Sequence, residues 1–332
     1  MAKGILIYAQ TDRNGFLQNV VLELANAARK LSEQLENCEI SALLITDGTN
    51  LSKNKEILSK NGFDKVYIAK SEEFKHYSTD YYSNIAIKLI KDTEPEIVLI
   101  GATTQGRDLA PIISSTLNTG LTADCTSLNI DEKGRLAATR PTFGGNLMAT
   151  ILCKNYPQMA TVRPKVLPKS DIEIQKNTEF IDVQFNLSEI KNRVEFLDFV
   201  LNKNSCDIRL DEAEIIVAGG KGMKSGQGFD LLEEVARLLG ASVGASRGAV
   251  DMKLADSSIQ IGQTGKTVVP KIYLACGISG AVQHTVGMSG SDKIIAINKD
   301  KNAPIFKIAD VGIVGDVFEI LPELIKALKE RK

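Results

Sequence analysis

Residues 272–298, IYLACGISGAVQHTVGMSGSDKIIAIN, contain two strand-like runs with a turn of small residues between them. The first run, residues 271–276, is apolar and ends in Gly-Ile-Ser-Gly, so backbone N–H groups of the turn can approach an anion. The segment therefore predicts a phosphate cradle. The second run, residues 293–297, ends at Asn298, which we expect at the carboxyl edge of a parallel sheet, where such sheets bind ligands.

The residues before this segment carry the same pattern of strands and helices back to about residue 207. A strand at 214–218 leads through a glycine loop into a helix at 229–239, with Gly240 as its C-cap, and a further strand follows at 241–245. This alternation predicts a doubly wound α/β domain, Rossmann-like or flavodoxin-like, in the C-terminal part of the chain.

The first 200 residues also alternate strand-like and helix-like runs, which predicts an α/β domain with a parallel sheet built by βαβ crossovers. The strand-like runs lie at 5–10, 40–46, 66–70 and 96–101, and the helix-like runs at 16–35, 51–60 and 82–91. Residues 122–166 instead contain short strand-like runs joined by glycine-rich turns, and they predict an antiparallel appendage.

A polar segment separates the two halves of the chain. Residues 202–211, NKNSCDIRLD, concentrate charge and loop formers after a strand-like run at 195–201. We therefore predict an N-terminal α/β domain at 1–206 and a second domain at 207–332. A length of 332 residues with 43% hydrophobic residues suits two such cores.

Charge and cysteine content exclude several classes of function. The net charge is −1 and no polybasic run is present, so we expect binding neither to nucleic acid nor to a membrane surface. The five cysteines include no C-x-x-C pair, so no zinc site, iron–sulfur cluster or other metal site is predicted. Because the start of the sequence passes directly into a strand, we expect no cleavable leader and a cytoplasmic location.

The glycine loop at 219–226, GGKGMKSG, differs from a dinucleotide-binding motif. Its spacing is G-x-G-x-x-x-G, and the next strand ends in Ser246 and Arg247, where an NAD site needs an acidic residue. Two interpretations stay open from the residues alone. The loop is either a tight strand-to-helix turn or a phosphate contact to which Lys221 and Lys224 contribute charge.

A second short motif, GQTGKT at 262–267, ends like a Walker A loop. The first glycine of that motif would fall at Gln260, and Pro270 prevents the helix that must follow the lysine. The sequence therefore excludes a P-loop nucleotide triphosphatase.

Two candidate cations have more than one interpretation. Arg247, in ASRGAVD at 245–251, can form an ion pair with Asp251 or contact a cofactor. His284 is one of only two histidines, and either a core position or a place in a binding site is open to it. For the other, His76, we expect an ordinary core or surface position.

Together these segments resemble the α subunit of electron-transfer flavoprotein, the FAD-carrying half of a heterodimer that shuttles electrons from dehydrogenases. The resemblance covers essentially the whole second domain. In the first domain it is looser, and there it depends on segments that in the family build the fold and the contact with the β subunit: TGLTADCTSL (119–128), RPTFGGN (140–146) and QMATVRP (158–164).

The resemblance implies FAD held non-covalently in the second domain. In the family pattern the Thr264 hydroxyl bonds flavin N5, the Arg247 guanidinium lies over the isoalloxazine, and His284 faces flavin O2. Arg247 and His284 would then be two cations beside the ring. Lys221 stands where the family has an arginine, which keeps the charge but loses the bidentate fork.

The resemblance also assigns the rest of the cofactor. Ser246 would reach the pyrophosphate, residues 279–284 would wrap the pyrophosphate and ring, and Asn298 and Asp316 would meet the ribose and adenine. The implied cofactor-binding set is Lys221, Ser246, Arg247, Gln263, Thr264, Gly265, Ser279, Gly280, Ala281, Val282, Gln283, His284, Asn298 and Asp316.

The implied function is that of an electron carrier. The sequence offers no nucleophile–base pair, paired catalytic carboxylates or metal ligands for bond-making chemistry of its own. The resemblance implies a β subunit, an acyl-CoA dehydrogenase-type flavoenzyme and a second carrier as partners. One alternative is a bifurcating complex that couples NADH oxidation to reduction of an acyl-CoA and ferredoxin, and another is a non-redox module that binds an adenine nucleotide.

Overall fold

The computed structural model describes residues 4–35, 38–142, 147–170, 173–174, 176–198, 210 and 213–330. The chain forms two compact units, residues 1–198 and 199–332. The domain boundary predicted near residue 207 lies outside the described residues, so it stays a prediction.

The first unit is built on a seven-stranded parallel sheet. The described strands of the unit, including three that lie outside this sheet, are β1 (Ile5–Tyr8), β2 (Ile40–Thr46), β3 (Lys65–Lys70), β4 (Ile97–Gly101), β5 (Leu121–Cys125), β6 (Ser127–Ile130), β7 (Leu136–Thr142), β8 (Leu147–Leu152), β9 (Gln158–Val162) and β10 (Glu179–Asp182). The described α-helices of the unit are α1 (Asn19–Gln34), α2 (Leu51–Ser59), α3 (Thr79–Thr93) and α4 (Thr104–Thr116). The parallel sheet has the order β10-β3-β2-β1-β4-β9-β5. This confirms the predicted βαβ arrangement.

Helices cover both faces of this sheet, which explains why its central strands are apolar without interruption. Ile5 and Ile7 of β1 face the layer that contains α1, and Leu6 and Tyr8 face the layer that contains α3 and α4. All seven residues of β2 are buried. Each fully buried aliphatic side chain contributes roughly 1.5–3 kcal/mol, so these strands hold both layers in place.

The predicted antiparallel appendage is present but smaller than the sequence indicates. Strands β6, β7 and β8 form a three-stranded antiparallel sheet. The flanking strands β5 and β9 were expected to belong to it, but they pair in parallel and return to the main sheet. The appendage is therefore an insertion between two strands of the core.

The strand predicted at 195–201 is wrong for its described residues, 195–198, which lie in no strand. Side chains hold this segment instead. Arg193 donates to both carboxylate oxygens of Asp80, with Nη2 at 2.6 Å from Oδ1 and Nε at 3.2 Å from Oδ2. The Phe196 ring stacks on His76 with 3.6 Å between centroids. The apolar run was not sufficient to make a strand, because these side-chain contacts hold the segment in place and it pairs with no neighbouring strand.

The second unit is a six-stranded parallel sheet with a buried apolar cluster on each face. Its elements are β11 (Ile215–Gly219), α5 (Gly226–Leu239), β12 (Ser242–Ser246), α6 (Arg247–Asp251), β13 (Gln260–Ile261), β14 (Ile272–Cys276), α7 (Val282–Thr285), β15 (Lys293–Asn298), β16 (Val311–Val314) and α8 (Val317–Glu330). The strand order is β13-β12-β11-β14-β15-β16. In chain order this is 3-2-1-4-5-6, the doubly wound order of dinucleotide-binding domains, which confirms the predicted fold class.

Helices α5 and α8 pack together on one face of the second sheet. Leu232 and Val235 of α5 share a buried cluster with Leu321 and Ile325 of α8. Gly240 ends α5 with φ +64°, a left-handed conformation that favours glycine, and so confirms the predicted C-cap.

A buried carboxylate on α1 links stability of the first unit to pH. Glu23 is 2% exposed, and its Oε2 accepts the backbone N–H of Lys165 at 2.8 Å. Burial raises the pKa of Glu23 to about 7, against the opposing effect of the Lys165 bond. An unfolded glutamate has a pKa of about 4.3, so the folded state binds the proton more tightly, and stability is lost as pH rises from about 4 to about 7.

Glu23→Gln should remove this pH dependence, because glutamine keeps an oxygen for the Lys165 N–H but carries no charge. We expect the free energy of unfolding of the variant at about pH 8 to exceed that of the unchanged protein by up to about 3 kcal/mol. Denaturant unfolding from about pH 5 to about pH 8 measures it. Glu33→Gln, at an exposed site of the same helix, is the control. Equal pH slopes for Glu23→Gln and the unchanged protein would contradict the prediction.

Candidate functional site

The predicted site residues gather at the carboxyl edge of the second sheet. Strands β11 and β14 are neighbours there although they are not consecutive, so the direction of winding changes between them. Doubly wound sheets bind ligands at this switch point. The loops that follow β11, β12, β13, β14 and β15 all open onto this edge.

The loops after β11 and β14 pack backbone against backbone. The N–H of Gly222 donates to the Gly277 carbonyl at 3.1 Å, and the N–H of Gly220 donates to the Cys276 carbonyl at 2.9 Å. A Cβ on Gly220 would lie 2.2 Å from the Gly277 carbonyl oxygen, and Gly277 itself has φ +62°. The glycine loop therefore forms a tight strand-to-helix turn, and its glycines allow this close approach. The other interpretation, a phosphate contact with charge from Lys221 and Lys224, is compatible with this turn and stays a prediction.

The predicted phosphate cradle lies between β14 and α7. Gly280 has φ +88°, and a Cβ there would lie 2.2 Å from the backbone nitrogen of Ile305. Among the described residues, the backbone N–H groups of Ser279, Gly280 and Ala281 meet no hydrogen-bond acceptor. Three N–H donors are thus available to an anion at the edge of the sheet.

Asn298 supports this cradle from the neighbouring strand. Its side-chain N–H donates to the Ile278 carbonyl at 2.9 Å, and its Oδ1 accepts the N–H of Asp300 at 3.0 Å. Asn298 is the last residue of β15, so it lies at the carboxyl edge of the sheet and beside the cradle, and its contact with the ribose or adenine stays a prediction. Its amide fixes the turn that carries the free N–H groups.

Ser246 and Arg247 begin α6. The Ser246 Oγ accepts the Ala249 N–H at 3.3 Å and so caps the helix. The Arg247 Nε lies 3.7 Å from Asp251 Oδ2, and the side chain of Arg247 is 66% exposed. The ion pair considered for Arg247 is present, but an exposed pair at this distance holds the guanidinium only weakly. Arg247 is free to contact a ligand as well.

The side chain of Lys221 crosses the first turn of α6. A Cβ on Gly248 would lie 2.5 Å from the Lys221 Cε, so the lysine stem occupies the space that a larger residue would need. Lys221 is exposed. This contact brings the end of the Lys221 side chain to Gly248, the residue after Arg247. Lys221 and Arg247 therefore both lie at the start of α6.

The Gln263–Gly265 loop is connected to the residues of α7. The Gln263 N–H donates to the Gln283 carbonyl at 2.7 Å, and a Cβ on Gly262 would lie 2.6 Å from the same oxygen. The Thr264 hydroxyl accepts a hydrogen bond from Gln260 Nε2 at 3.0 Å. A hydroxyl that accepts can still donate, and Thr264 is exposed, so its proton is available to a ligand.

His284 differs from the expectation of a cation that faces the flavin. Its ring is buried, with Nε2 3.0 Å from the Tyr273 hydroxyl and Nδ1 3.0 Å from the Ile261 carbonyl. Burial lowers the pKa of His284 to about 4, so the ring is neutral near pH 7. Both nitrogens are engaged inside the protein. Sequence reasoning missed Tyr273, whose only signal is a polar atom within the apolar run of β14.

Asp316 lies after β16, at the same edge. Its Oδ1 accepts the Phe318 N–H at 3.0 Å, and its carboxylate is paired with Lys299. The Lys299 ammonium holds the pKa of Asp316 below its ordinary value. Lys224 adds positive charge next to this pair, with Nζ 5.6 Å from the Phe318 ring centroid.

The corresponding edge of the first sheet is closed by its own side chains. The Thr103 hydroxyl donates to Gln10 Oε1 at 2.6 Å, and Gln105 Nε2 donates to the Tyr8 hydroxyl at 2.8 Å. These groups fill the switch point between β1 and β4. At the second edge, free backbone donors lie beside the exposed cations Lys221 and Arg247, and this arrangement fits a ligand with a pyrophosphate, such as FAD.

Other kinds of site are not evident in the described part of the chain. It holds no cluster of three or more histidine, cysteine, aspartate or glutamate side chains arranged for a metal ion. None of the described helices is both long and apolar enough to cross a membrane.

Two protein-family models match the chain. Residues 5–187 match the electron transfer flavoprotein domain, and residues 209–289 match the electron transfer flavoprotein FAD-binding domain. The second match covers the glycine loop, Arg247, Thr264 and the phosphate cradle. It supports FAD as the cofactor, as the sequence analysis expected.

Curated relatives align over almost the whole chain. Electron transfer flavoprotein subunit alpha of Clostridium acetobutylicum is 48% identical over 98% of this chain and 97% of its own length. Protein FixB of Clostridium saccharobutylicum is 47% identical over 99% of this chain and 97% of its own length. Electron transfer flavoprotein subunit alpha of Megasphaera elsdenii is 44% identical over 99% of this chain and 97% of its own length. These similarities support electron transfer with FAD and a β subunit as partner, and they do not favour the non-redox alternative. The chain belongs to the electron transfer flavoprotein family, among its α subunits.

Proposed function

We propose that FAD is held at the carboxyl edge of the second sheet by the residues predicted from the sequence. The observation that carries this proposal is the turn between β14 and α7, where three backbone N–H groups are free beside two exposed cations. The bound cofactor supplies reversible acceptance of electrons at its isoalloxazine ring. The protein supplies binding, orientation and charge.

The pyrophosphate is proposed to lie against the cradle. The N–H groups of Ser279, Gly280 and Ala281 would donate to its oxygens, and Lys221 would contribute a charge from the opposite loop. Ser246 fixes the start of α6 and leaves its hydroxyl proton to a phosphate oxygen. Val282 and Gln283 continue the same exposed surface.

The flavin ring is proposed to lie between Arg247 and the loop of Gln263, Thr264 and Gly265. A unit charge about 4 Å from the ring contributes about 4 kcal/mol at an effective dielectric of about 20, and less when water screens it. Arg247 is therefore proposed as a positive charge that stabilises the reduced ring. Asn298 and Asp316 are proposed to lie at the adenosine end.

Gly280→Ala should weaken FAD binding at least about tenfold, because the new Cβ would meet the Ile305 backbone and strain the positive φ of the cradle. FAD titration of the stripped heterodimer measures the dissociation constant. Gly240→Ala is a matched control: it has the same kind of φ, +64°, but open space around the new Cβ. Equal dissociation constants for the two variants would contradict a cradle at residue 280.

Arg247→Gln should lower the midpoint potential of the bound flavin, because the reduced ring loses a stabilising positive charge. We expect a decrease of a few tens of millivolts, since about 59 mV corresponds to a tenfold change in a one-electron equilibrium. Potentiometric titration measures it. Arg237→Gln, an exposed arginine on α5, is the control. A potential that changes equally in both variants, or in neither, would count against the position of Arg247.

The antiparallel sheet is the proposed contact with the β subunit. Leu147 and Met148 of β8 are 59% and 58% exposed, and Ile151 and Leu152 extend this apolar surface. Exposed apolar patches of this kind mark protein interfaces. A charge introduced there should disrupt the heterodimer without altering the flavin edge of the second unit.

Met148→Glu should therefore abolish co-purification of the β subunit, because burying an unpaired carboxylate is costly. Val194→Glu, which changes a similarly exposed apolar residue outside the sheet, is the control. Size-exclusion chromatography with light scattering reports the assembly. Retention of the heterodimer by Met148→Glu would place the contact elsewhere.

The proposed electron partners are an acyl-CoA dehydrogenase-type flavoenzyme and a second carrier, in the cytoplasm. NADH and ferredoxin are further partners if the complex bifurcates electrons. Counting FAD per heterodimer, then following anaerobic reduction by each donor, separates these cases. One FAD reduced by the dehydrogenase supports the shuttle, and a second FAD reduced by NADH supports bifurcation.

A further inference from the structure

The last residues of the first unit, 191–198, form an exposed strap. Every residue of the strap is exposed, and none belongs to a helix or strand. The segment just before it is packed, because Phe185 and Leu187 lie against the buried layer that contains α3 and α4. The strap is therefore held by side-chain contacts and not by a backbone ladder.

Asp80 is the main anchor of the strap. Its Oδ2 accepts the backbone N–H of Arg193 at 2.9 Å, and its Oδ1 accepts a hydrogen bond from Arg193 Nη2 at 2.6 Å. The Asp80 side chain is 12% exposed and lies in the first turn of α3, where the helix dipole favours a carboxylate. The side chain of Arg193 is 70% exposed, so water screens the pair and it opens at low cost.

Two further contacts join the strap to the residues before Asp80. The Ser78 hydroxyl donates to Asn192 Oδ1 at 2.7 Å. The His76 ring stacks on Phe196 with 3.6 Å between centroids. His76, Ser78 and Asp80 are alternate residues, and the backbone is extended at His76 and at Ser78, so the three side chains face the strap together.

The two residues between them are bound to α4. Tyr77 and Thr79 each donate a hydroxyl hydrogen bond to Asp108 Oδ2, both at 2.6 Å. Residues 76–80 are thus fixed between α4 and the strap. Since Leu109 of α4 is fully buried and the strap is exposed, the strap is the side that can release.

Release of the strap would lengthen the chain that connects the two units. While the strap is held, the connection to β11 begins at residue 199. After release it begins at residue 191, since the Ile190 N–H still donates to the Leu187 carbonyl at 3.1 Å. Residues 191–198 then add at most about 28 Å of extended chain. The reach of the unit with the candidate FAD site therefore depends on these side-chain contacts.

We propose that the strap is a reversible clasp, closed by His76, Ser78 and Asp80, that sets the length of chain joining the second unit to the first. An electron carrier presents its cofactor to a donor and to an acceptor in turn, and the clasp determines how far the cofactor can travel between them. This consequence for electron transfer rests on the proposed place of FAD in the second unit.

Asp80→Asn tests the clasp by proteolysis of the FAD-loaded heterodimer. Asparagine keeps the size of the side chain but loses its charge, and trypsin needs a released strap to cleave after Lys191 or Arg193. We expect cleavage there to be about 3- to 10-fold faster than in the unchanged protein, because cleavage follows the population of the open state. Asp64→Asn is the control, since Asp64 also accepts a backbone N–H and pairs with a lysine. Equal rates for Asp80→Asn and the unchanged protein would overturn the proposal.

A distance measurement tests whether the clasp sets the reach of the second unit. Spin-labelled non-natural residues at Lys91 and Lys326, exposed positions on α3 and α8, avoid the five cysteines of the chain. In double electron–electron resonance of the heterodimer, we expect Asp80→Asn to populate distances that the unchanged protein and Asp64→Asn lack. Faster cleavage of the strap with an unchanged distance distribution would overturn the proposal.

Phe196→Ala is a second variant that removes the ring stack and leaves α3 as it is. We expect it to change cleavage and distances in the same direction as Asp80→Asn, and it decides the matter if that variant does not fold. No change in either measurement would overturn the proposal. Failure of the proposed FAD site is recognised separately, by FAD titration of Gly280→Ala, because neither measurement on the strap depends on where FAD lies.

Discussion

The close approach of two loop backbones is the contact on which the second unit depends. Gly220 and Gly222 after β11 meet Gly277 after β14 with no side chain between them. The next turn begins at Ser279, and the backbone N–H groups of residues 279–281 meet no acceptor among the described residues. The donors proposed for a phosphate therefore come from the backbone.

Charge at the site is divided between exposed and buried groups. The cations that can act on a ligand, Arg247 and Lys221, lie at the surface, where water screens them. His284, which the family pattern suggests as a third, is buried and neutral. Burial thus gives this histidine two partners inside the protein, the Tyr273 hydroxyl and the Ile261 carbonyl.

Local pattern was sufficient to predict the two parallel sheets and the sheet edge that carries the candidate site. The run at 271–276 and the glycines after it lead directly to β14 and the cradle, because strand propensity and turn chemistry act over a few residues. The orientation of His284 was beyond such reasoning, since its partners Tyr273 and Ile261 are 11 and 23 residues away in sequence. The strand predicted from the apolar run at 195–198 was wrong for a related reason. A run of this kind becomes a strand only where another strand lies beside it to pair with, and here the hydrogen bond from Arg193 to Asp80 holds the segment instead.

The packing of Lys221 over Gly248 restricts how this sequence can change. The lysine stem fills the volume in which a Cβ at position 248 would lie, 2.5 Å from Cε. Positions 221 and 248 are therefore coupled. A Cβ at position 248 requires the exposed lysine stem to turn away from the start of α6, so a substitution at 248 would also change where the charge of Lys221 lies.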